Sequence, residues 1–336
     1  MSTQAKPPFE ILIIVTPDFN LAATTAFIDP FRAANYLEGK ALFRWHIAAT
    51  IGGEVTASNG LSVSAVPLDD TGKPDLVVIS SSWTPERYST ASLHARLHRA
   101  ASRGAKLCAL DTGAFIMADA GLLAGRRATV HYEHIDAFSE LYPDITVSED
   151  LFVDDDGRLT CCGGEASADL ALHIIRSCMN ETVANAASRY IFHPTIRGLG
   201  ASQLPPLTEP LGGTVPGVVR TAIRLMEANL ETPFSIPEIS QAAGVSQRQL
   251  NRLFARHLCK TTALYYRDIR LDRARGLVTQ TAIPLTEVAF ASGFRSQVTF
   301  SRAYRRRFGL PPGEDRTEGR IPFEFRAWPM HRPVKD

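Results

Sequence analysis

The stretch PEISQAAGVSQRQLNRLFARHL, residues 237–258, has the pattern of two short helices joined by a tight turn at Gly244. Ser246 followed three residues later by Gln249 is the pattern of a capping box, so a helix is predicted to begin directly after Ser246. The apolar positions recur at helical spacing on both sides of the turn: Ile239, Ala242, Ala243, Leu250, Leu253, Phe254 and Leu258. This stretch therefore predicts a helix-turn-helix unit.

The same arrangement recurs in PLTEVAFASGFRSQVTFSRAYRRRFG, residues 284–309. Four core positions keep an offset of 50 from the first unit, whereas the two turn glycines, Gly244 and Gly293, differ by 49. The second unit therefore has one extra turn residue. Between the units, residues 262–280 predict one connecting helix with an apolar stripe: Leu264, Leu271, Ala274 and Val278. Such a helix would hold two DNA-contacting helices about 34 Å apart, one turn of the duplex.

Charge is divided unevenly along the chain. Residues 1–213 hold 16 Lys and Arg against 24 Asp and Glu, a net charge of −8, whereas residues 214–320 hold 17 against 9, a net charge of +8. Phosphate contacts need Lys and Arg, so double-stranded DNA is the predicted partner of the basic part. The DNA-binding residues are predicted to be Ser246, Gln247, Arg248, Asn251, Arg252, Arg256, Arg295, Ser296, Gln297, Thr299, Arg302 and Arg306.

This C-terminal third closely resembles the AraC/XylS family of bacterial transcription regulators. The segments that carry the resemblance are ISQAAGVSQRQLNRLFARHL, YYRDIRLDRARGLV, LTEVAFASGFRSQVTFSRAYRRRFG and LPPGE. The resemblance implies two recognition helices in successive major grooves. It also implies RNA polymerase as a partner and a homodimer, which would suit repeated half-sites.

Towards the N-terminus, residues 198–217 hold five glycines and four prolines without an apolar period, which predicts a linker. Before it, apolar runs alternate with amphipathic segments, which predicts an α/β sandwich with a mostly parallel sheet. The runs are EILIIVTP (10–17), FRWHIAAT (43–50), DLVVISS (75–81), KLCAL (106–110) and a hairpin in LFVDDDGRLTC (151–161).

Residues 9–195 resemble the PfpI-like branch of the class I glutamine amidotransferase-like superfamily, which has a flavodoxin-like fold. The resemblance rests on KLCALDTGAFIMADAGLLAGRRATVHYEH, residues 106–134, whose strand, sharp turn and helix are typical of a nucleophile elbow. Enzymes of that branch carry cysteine at the elbow, but here the residue is Asp111, and the family's acidic position falls on Ala26. Because a carboxylate is a far poorer nucleophile than a thiolate, no catalytic residue and no enzyme activity is predicted.

A PfpI-like domain joined to an AraC-type domain is the layout of the GlxA-like regulators, which the chain also resembles in FIDPFRAANYL, TASNGLSV and TCCGGEASADLALHII. The predicted boundaries are 8–198 for a sensor domain, 199–214 for the linker and 215–316 for the DNA-binding domain. Members of this group respond to arginine, carnitine, betaine and related compounds.

A partly buried Asp111 favours a cationic or zwitterionic effector, because its carboxylate needs a positive partner to stay ionised. Nearby aromatic rings would add cation–π contacts. The predicted ligand-binding residues are Asp111, Thr112, Gly113, His131, Phe19, Trp83 and Tyr132. Two structural alternatives stay open: Asp111 as a cap of the helix that follows it, with His131 as its hydrogen-bond partner, and the aromatic residues as ordinary packing.

Composition excludes several other classes of protein. No stretch approaches the roughly 18 apolar residues of a membrane span, and the N-terminus lacks a secretory pattern, so a cytoplasmic protein is expected. The five cysteines have no zinc-binding spacing, so neither a metal nor a cofactor is predicted. Two further functional hypotheses remain: a PfpI-like amidase, deglycase or hydratase with an accessory DNA-binding domain, and a structural nucleoid protein.

Overall fold

An eight-stranded sheet forms the centre of the first unit in the computed structural model, which describes residues 7–68, 72–203 and 215–318. Its strands are β1 (Phe9–Val15), β2 (Phe43–Ala49), β3 (Gly53–Thr56), β4 (Ser62–Pro67), β5 (Leu76–Ser81), β6 (Lys106–Asp111), β9 (Phe152–Asp155) and β10 (Arg158–Cys161), and a separate pair is β7 (Arg127–Ala128) with β8 (Thr146–Val147). The order across the sheet is β3-β4-β2-β1-β5-β6-β10-β9. Pairing is antiparallel in β3–β4 and β9–β10 and parallel between the other neighbours, which confirms the mostly parallel sheet.

Helices cover both faces of this sheet. They are α1 (Leu21–Glu38), α2 (Ala91–Ser102), α3 (Gly113–Asp119), α4 (Ile135–Leu141), α5 (Ala166–Cys178) and α6 (Glu181–Tyr190). Strand β1 shows why two covers are needed: Ile11 and Ile13 pack into one apolar core with α1, α5 and α6, while Leu12 and Ile14 pack into another with α2, α3 and α4. A strand buried on both faces is apolar throughout, as the sequence indicated.

The hairpin β3–β4 was not predicted as strands, although the stretch TASNGLSV lies there. Most of its side chains are exposed, so the apolar signal is weak. The local signal was the Asn59-Gly60 pair, since Asn-Gly is the dipeptide most typical of a tight hairpin.

The first unit ends at Gln203, later than the predicted linker start at residue 199. The backbone N–H of Leu151 donates to the carbonyl of Ala201 at 2.7 Å, and that of Gln203 donates to Glu149 at 2.9 Å. The Gln203 side chain also donates to the carbonyl of Val130 at 3.0 Å. Residues 199–203 therefore belong to the first unit, and the rest of the predicted linker, 204–214, lies outside the described residues.

The second unit is helical throughout its described part. Its helices are α7 (Gly217–Glu227), α8 (Ile236–Ala242), α9 (Gln247–Leu258), α10 (Thr262–Gln280), α11 (Leu285–Ala291), α12 (Gln297–Phe308) and α13 (Pro312–Glu318). Helix α10 serves two cores: Tyr266 packs with α7, α8 and α9, whereas Leu271, Ala274 and Val278 pack with α11 and α12. Leu264 of the predicted stripe is only half-buried, and Ala242, one of the apolar residues before the turn, is exposed. None of the helices within residues 7–68, 72–203 and 215–318 is long and apolar enough to cross a membrane.

Candidate functional site

The first helix-turn-helix unit begins its second helix at the predicted residue. Gly244 has a φ of +72°, a left-handed conformation that favours glycine. The backbone N–H of Gln249 donates to the Ser246 hydroxyl at 3.2 Å, and the backbone N–H of Ser246 donates to the Gln249 side chain at 3.0 Å. This capping box fixes the start of α9, which we call the first recognition helix.

The second helix-turn-helix unit repeats the arrangement with α12, which we call the second recognition helix. Its turn glycine, Gly293, also has a φ of +72°, and Ser296 caps the helix by accepting from the backbone N–H of Thr299 at 3.3 Å. The helix starts lie 50 residues apart and the turn glycines 49, which confirms the extra turn residue.

The predicted DNA-binding residues lie on the outer faces of these helices and at their N-termini. Ten of the twelve are exposed, and Asn251 and Ser296 are half-buried. Some already have partners within the unit: the Asn251 side chain accepts from the backbone N–H of Thr262 at 3.2 Å, and Gln297 accepts from the Thr286 hydroxyl at 3.0 Å. The positions fit a DNA-facing surface, although these contacts restrict the two amides.

One arginine of the basic run at the end of α12 has a structural role. Arg307 pairs with Asp268 at 2.8 Å and with Asp272 at 2.6 Å, which ties the second recognition helix to α10. Arg305 and Arg306 are exposed and make none of the ion pairs found among the described residues.

A joint between the two helix-turn-helix units was not visible in the sequence. Arg270 of α10 donates to the carbonyl of Gly293 at 2.8 Å, and its guanidinium stacks 4.9 Å from the centroid of Phe294. A Cβ at Gly293 would lie 2.9 Å from Cδ of Pro233, in the loop between α7 and α8. The turn of the second helix-turn-helix unit therefore packs directly on the loop before the first one, and α10 is not the only connection between these two helix-turn-helix units.

The elbow in the first unit has the predicted sharp geometry. Asp111 ends β6 with a φ of +58°, a left-handed conformation uncommon for a residue with a side chain. Thr112 follows and its hydroxyl donates to the carbonyl of Ser82, so the turn is attached to the end of β5. Gly113 opens α3, and a Cβ there would overlap the backbone of Ile79. The turn thus places Asp111 at the carboxyl end of the sheet.

The carboxyl group of Asp111 is nearly buried, with 5% of the residue exposed. The Asn20 side-chain N–H donates to it at 2.9 Å, while Oδ1 of the same side chain caps α1 by accepting from the backbone N–H of Ala23 at 3.0 Å. Burial raises the pKa of Asp111, and the Asn20 hydrogen bond and nearby His134 oppose that rise. None of the ion pairs in the described ranges involves Asp111, so no lysine or arginine there neutralises it.

The structural alternatives for Asp111 and His131 are not supported by the contacts. Thr112, not Asp111, occupies the cap position of α3, and no side-chain cap bond is made there. His131 Nδ1 accepts from the backbone N–H of Glu133 at 3.4 Å, and no hydrogen bond in the described part of the chain joins His131 to Asp111. Burial lowers the pKa of His131, which favours its neutral form at neutral pH. Sequence reasoning missed Asn20 and His134 as the groups that affect the carboxyl.

The three predicted aromatic ligands have different surroundings. Phe19 is fully buried within the core under α1, which contradicts its prediction as a ligand contact, because no part of the ring reaches an accessible surface. Trp83 is half-buried in the loop that follows β5. Tyr132 is 52% exposed, and its ring stacks 4.5 Å from the His131 ring. Only Trp83 and Tyr132 keep the exposure that a cation–π contact with a ligand requires.

Two cysteines lie close to the elbow in the chain or in space. Cys108 is fully buried within β6, and burial raises the pKa of its thiol, so it does not provide a thiolate. Cys162 follows β10 beside Asp111 and is 7% exposed; its pKa is lowered by a hydrogen bond from Cys161. Among the residues that the structure describes, no group of His, Cys, Asp and Glu is arranged to hold a metal ion.

Comparison with known proteins assigns a family to each unit. Residues 10–177 match the DJ-1/PfpI family and residues 239–318 match a helix-turn-helix domain family. The chain is 37% identical to the HTH-type transcriptional regulator CdhR of Pseudomonas aeruginosa over 90% of both proteins. It is 32% identical to the HTH-type transcriptional regulator GlxA of Rhizobium meliloti, over 93% of this chain and 97% of the relative.

One solved structure has a fold similar to that of part of this chain. The crystal structure of an AraC family transcriptional regulator from Pseudomonas putida matches 55% of this chain and 100% of that chain, with a TM-score of 0.50 and 24% identity.

Proposed function

Since this chain belongs to the family of transcriptional regulators that join a DJ-1/PfpI domain to an AraC-type helix-turn-helix domain, we propose that it activates transcription in response to a small cationic or zwitterionic metabolite. The first unit binds the metabolite, and the second unit binds a promoter site in double-stranded DNA. RNA polymerase is the further partner of an activator, and a homodimer would present four recognition helices to repeated half-sites.

The observation that supports the effector class is the buried carboxyl of Asp111, which forms no ion pair with a lysine or arginine among the described residues. It is nearly buried and kept in a left-handed conformation, and it accepts a hydrogen bond from an uncharged amide, Asn20. A strained, buried carboxyl of this kind is expensive to keep ionised unless a positive group approaches it. An amine, a betaine or an amino acid such as glycine betaine, carnitine or arginine would supply that group.

Electrostatics predicts how binding depends on pH. A cation binds the ionised carboxylate, so binding releases a proton from any Asp111 that is protonated, and affinity falls as pH drops through its raised pKa. Trp83 and Tyr132 are the aromatic residues whose exposure allows contact with an alkylammonium group.

Isothermal titration calorimetry tests the proposal with arginine, glycine betaine, dimethylglycine, carnitine and choline, and with dicarboxylates as anionic controls. We expect one of the amines to bind the wild-type protein and Asp111→Asn to abolish that binding while keeping the Asn20 hydrogen bond. Asp144→Asn is the matched control, because it removes an exposed carboxylate from the same unit and should leave binding unchanged.

Binding of an anionic compound, or amine binding that survives in Asp111→Asn, would contradict the proposed effector site. DNA recognition is tested separately by enriching a random duplex library on the full-length protein. Recovery of one common sequence supports a promoter-binding regulator, and recovery of unrelated sequences contradicts it.

The enzyme alternative depends on Cys162, the thiol that lies beside Asp111 and has a lowered pKa. Iodoacetamide labelling followed by mass spectrometry examines it, because a thiolate alkylates quickly at neutral pH. Fast labelling of Cys162, absent in Cys162→Ser, would favour an enzyme. Uniformly slow labelling would favour the sensor.

A further inference from the structure

The two recognition helices correspond residue by residue at an offset of 50, because both begin directly after a capping serine. Three outward positions carry the same residue type in each helix. The matched pairs are Gln247 with Gln297, Arg252 with Arg302, and Arg256 with Arg306. From here on, a half-site is the DNA sequence that one helix-turn-helix unit of the chain contacts. Identical side chains in equivalent positions should contact the same kinds of base and phosphate in the two half-sites.

One exposed position of the first turn differs sharply in chemistry. Arg248 in the first recognition helix corresponds to Val298 in the second, and Val298 is 61% exposed. Valine has a lower helix propensity than arginine, and here it buries little apolar surface. Folding therefore does not account for a valine at this position.

Val298 is the outward-facing apolar side chain at the start of the second recognition helix, and the polar side chains on either side of it already have hydrogen-bond partners. The Thr299 hydroxyl lies 2.5 Å from the hydroxyl of the capping residue Ser296, and the side-chain Oε1 of Gln297 accepts from the Thr286 hydroxyl. In the first recognition helix Gln249 is likewise held by Ser246, which leaves Arg248 facing outward. The N-terminal residues of a recognition helix are those that meet base edges in the major groove.

We propose that Val298 contacts the C5-methyl group of a thymine in the second half-site, while Arg248 binds a guanine at the equivalent position of the first. The major-groove edge of thymine carries a methyl group, and that of guanine carries two acceptors suited to a guanidinium. The DNA site is then an imperfect direct repeat that differs at this base pair. This inference rests on the proposed DNA recognition and names the residues that distinguish its two halves.

Base analogues test the two contacts in the enriched DNA site. Replacing the thymine with uracil removes only the methyl group and should weaken wild-type binding about fourfold, the value of one buried methylene. The same replacement should have no effect on Val298→Ala. Replacing the guanine with 7-deazaguanine removes one of its two acceptors, so it should weaken wild-type binding by less than the roughly 5- to 150-fold value of the full bidentate contact and leave Arg248→Ala unaffected.

A second enrichment from a random library compares the wild-type protein with the exchanged variant Arg248→Val/Val298→Arg. We expect the guanine and the thymine to exchange places between the half-sites while the other enriched bases stay the same. Arg305→Ala, an exposed change on the same helix, is the control and should keep the wild-type sequence. Thermal unfolding of each variant verifies folding.

Two negative outcomes are distinguishable. A wild-type protein that enriches no common sequence would overturn the proposed DNA recognition and this inference with it. A common sequence that is unchanged in the exchanged variant, together with uracil scanning that has no effect at any thymine of the second half-site, would overturn this inference alone.

Discussion

At the scale of single residues, Asp111 combines two unfavourable features in one position. Its φ of +58° is uncommon for a residue with a side chain, and its carboxyl is nearly buried. A Cβ at Gly163, in the turn after β10, would lie 3.1 Å from the Asp111 Cβ, which is closer than most side-chain contacts, so Asp111 is also tightly packed on this side. Such strain is typical of sites whose geometry serves binding rather than stability.

Asp111→Asn should raise the melting temperature of the protein by a few degrees at pH 7. Burial raises the pKa of Asp111, so the folded state binds its proton more tightly than the unfolded state does. That stabilisation is complete below the unfolded pKa and is lost as pH rises through the folded pKa. Asparagine stays neutral, tolerates positive φ and can accept the Asn20 hydrogen bond.

Differential scanning calorimetry at pH 7 and pH 4 measures the effect. The gain over wild type should shrink as the pH is lowered from 7 to 4, because the raised pKa of Asp111 makes the folded state take up the proton before the unfolded state does. An equal gain at both pH values, or a loss at pH 7, would show that ionisation of Asp111 does not limit stability. Asp144→Asn should change the melting temperature little at either pH.

Arg252 is the clearest candidate for a base contact in the first recognition helix. It is exposed on the outer face, and no ion pair found among the described residues involves it. Arg252→Ala should weaken specific DNA binding by roughly 1–3 kcal/mol and change nonspecific binding little, if the side chain binds a base. Fluorescence anisotropy with specific and scrambled duplexes measures both affinities; an equal loss on both would assign Arg252 to a phosphate instead.

At the scale of elements, the close packing of the second turn on the loop between α7 and α8 determines how the two helix-turn-helix units are spaced. Gly293 is the contact point, and Tyr266 of α10 reinforces the same region by donating from its hydroxyl to the carbonyl of Asn229 at 2.5 Å. Two recognition helices can bind one face of DNA only if their spacing matches the helical repeat. The packing around Gly293 should therefore affect which spacing of the two half-sites the protein can bind.

Gly293→Ala should destabilise the protein more than Gly244→Ala does. Both glycines have a φ of +72°, so either alanine adds the left-handed strain of about 1–2 kcal/mol. Only the Cβ at Gly293 would also collide with Leu230 and Pro233; at Gly244 no heavy atom lies within 4 Å of it. Thermal unfolding measures the loss of stability in both variants. The loss in Gly244→Ala reports the backbone strain, and the additional loss in Gly293→Ala reports the steric overlap with Leu230 and Pro233.

The same pair of variants also tests the spacing of the half-sites. Gly293→Ala should bind duplexes with one base pair added or removed between the half-sites nearly as well as the original site, whereas Gly244→Ala should keep the wild-type preference. Equal stability loss and equal spacing preference in the two variants would show that the joint is not required.

At the scale of the whole molecule, the two parts of the chain carry opposite net charge, −8 for residues 1–213 and +8 for residues 214–320. Only the basic unit is suited to a polyanion, and the acidic unit is suited to a cationic effector. Under the proposed function, DNA and the metabolite bind to different units, so regulation would require that binding at one unit changes the affinity of the other.

The effector should change the DNA affinity of the full-length protein by about 5- to 150-fold, the usual range of allosteric coupling. Linkage requires that the specific duplex change the effector affinity by the same factor. Calorimetric titration of effector with and without the duplex, combined with anisotropy of the duplex with and without effector, measures both factors. A protein whose DNA affinity ignores the effector would instead fit a nucleoid protein without ligand control.

The sequence alone was sufficient to predict the elements whose signals are local. Helical periodicity, the Ser246 and Gln249 capping box, the turn glycines and the apolar runs of the sheet each depend on residues a few positions apart. Such patterns predicted two units, a mostly parallel sheet and two helix-turn-helix units in one register. The excess of basic residues in the C-terminal part also predicted DNA as a partner, because phosphate contacts require Lys and Arg.

Only the tertiary structure decided which distant groups meet. Asn20 and Asp111 are 91 positions apart, and Gly293 packs on a loop 60 positions earlier, so no local pattern contains either contact. The same limit explains Phe19: an aromatic residue after a strand can turn inwards or outwards, and its burial is set by α1 and the core around it. Long-range packing determines burial and hydrogen-bond partners, and through them the chemistry available at the elbow.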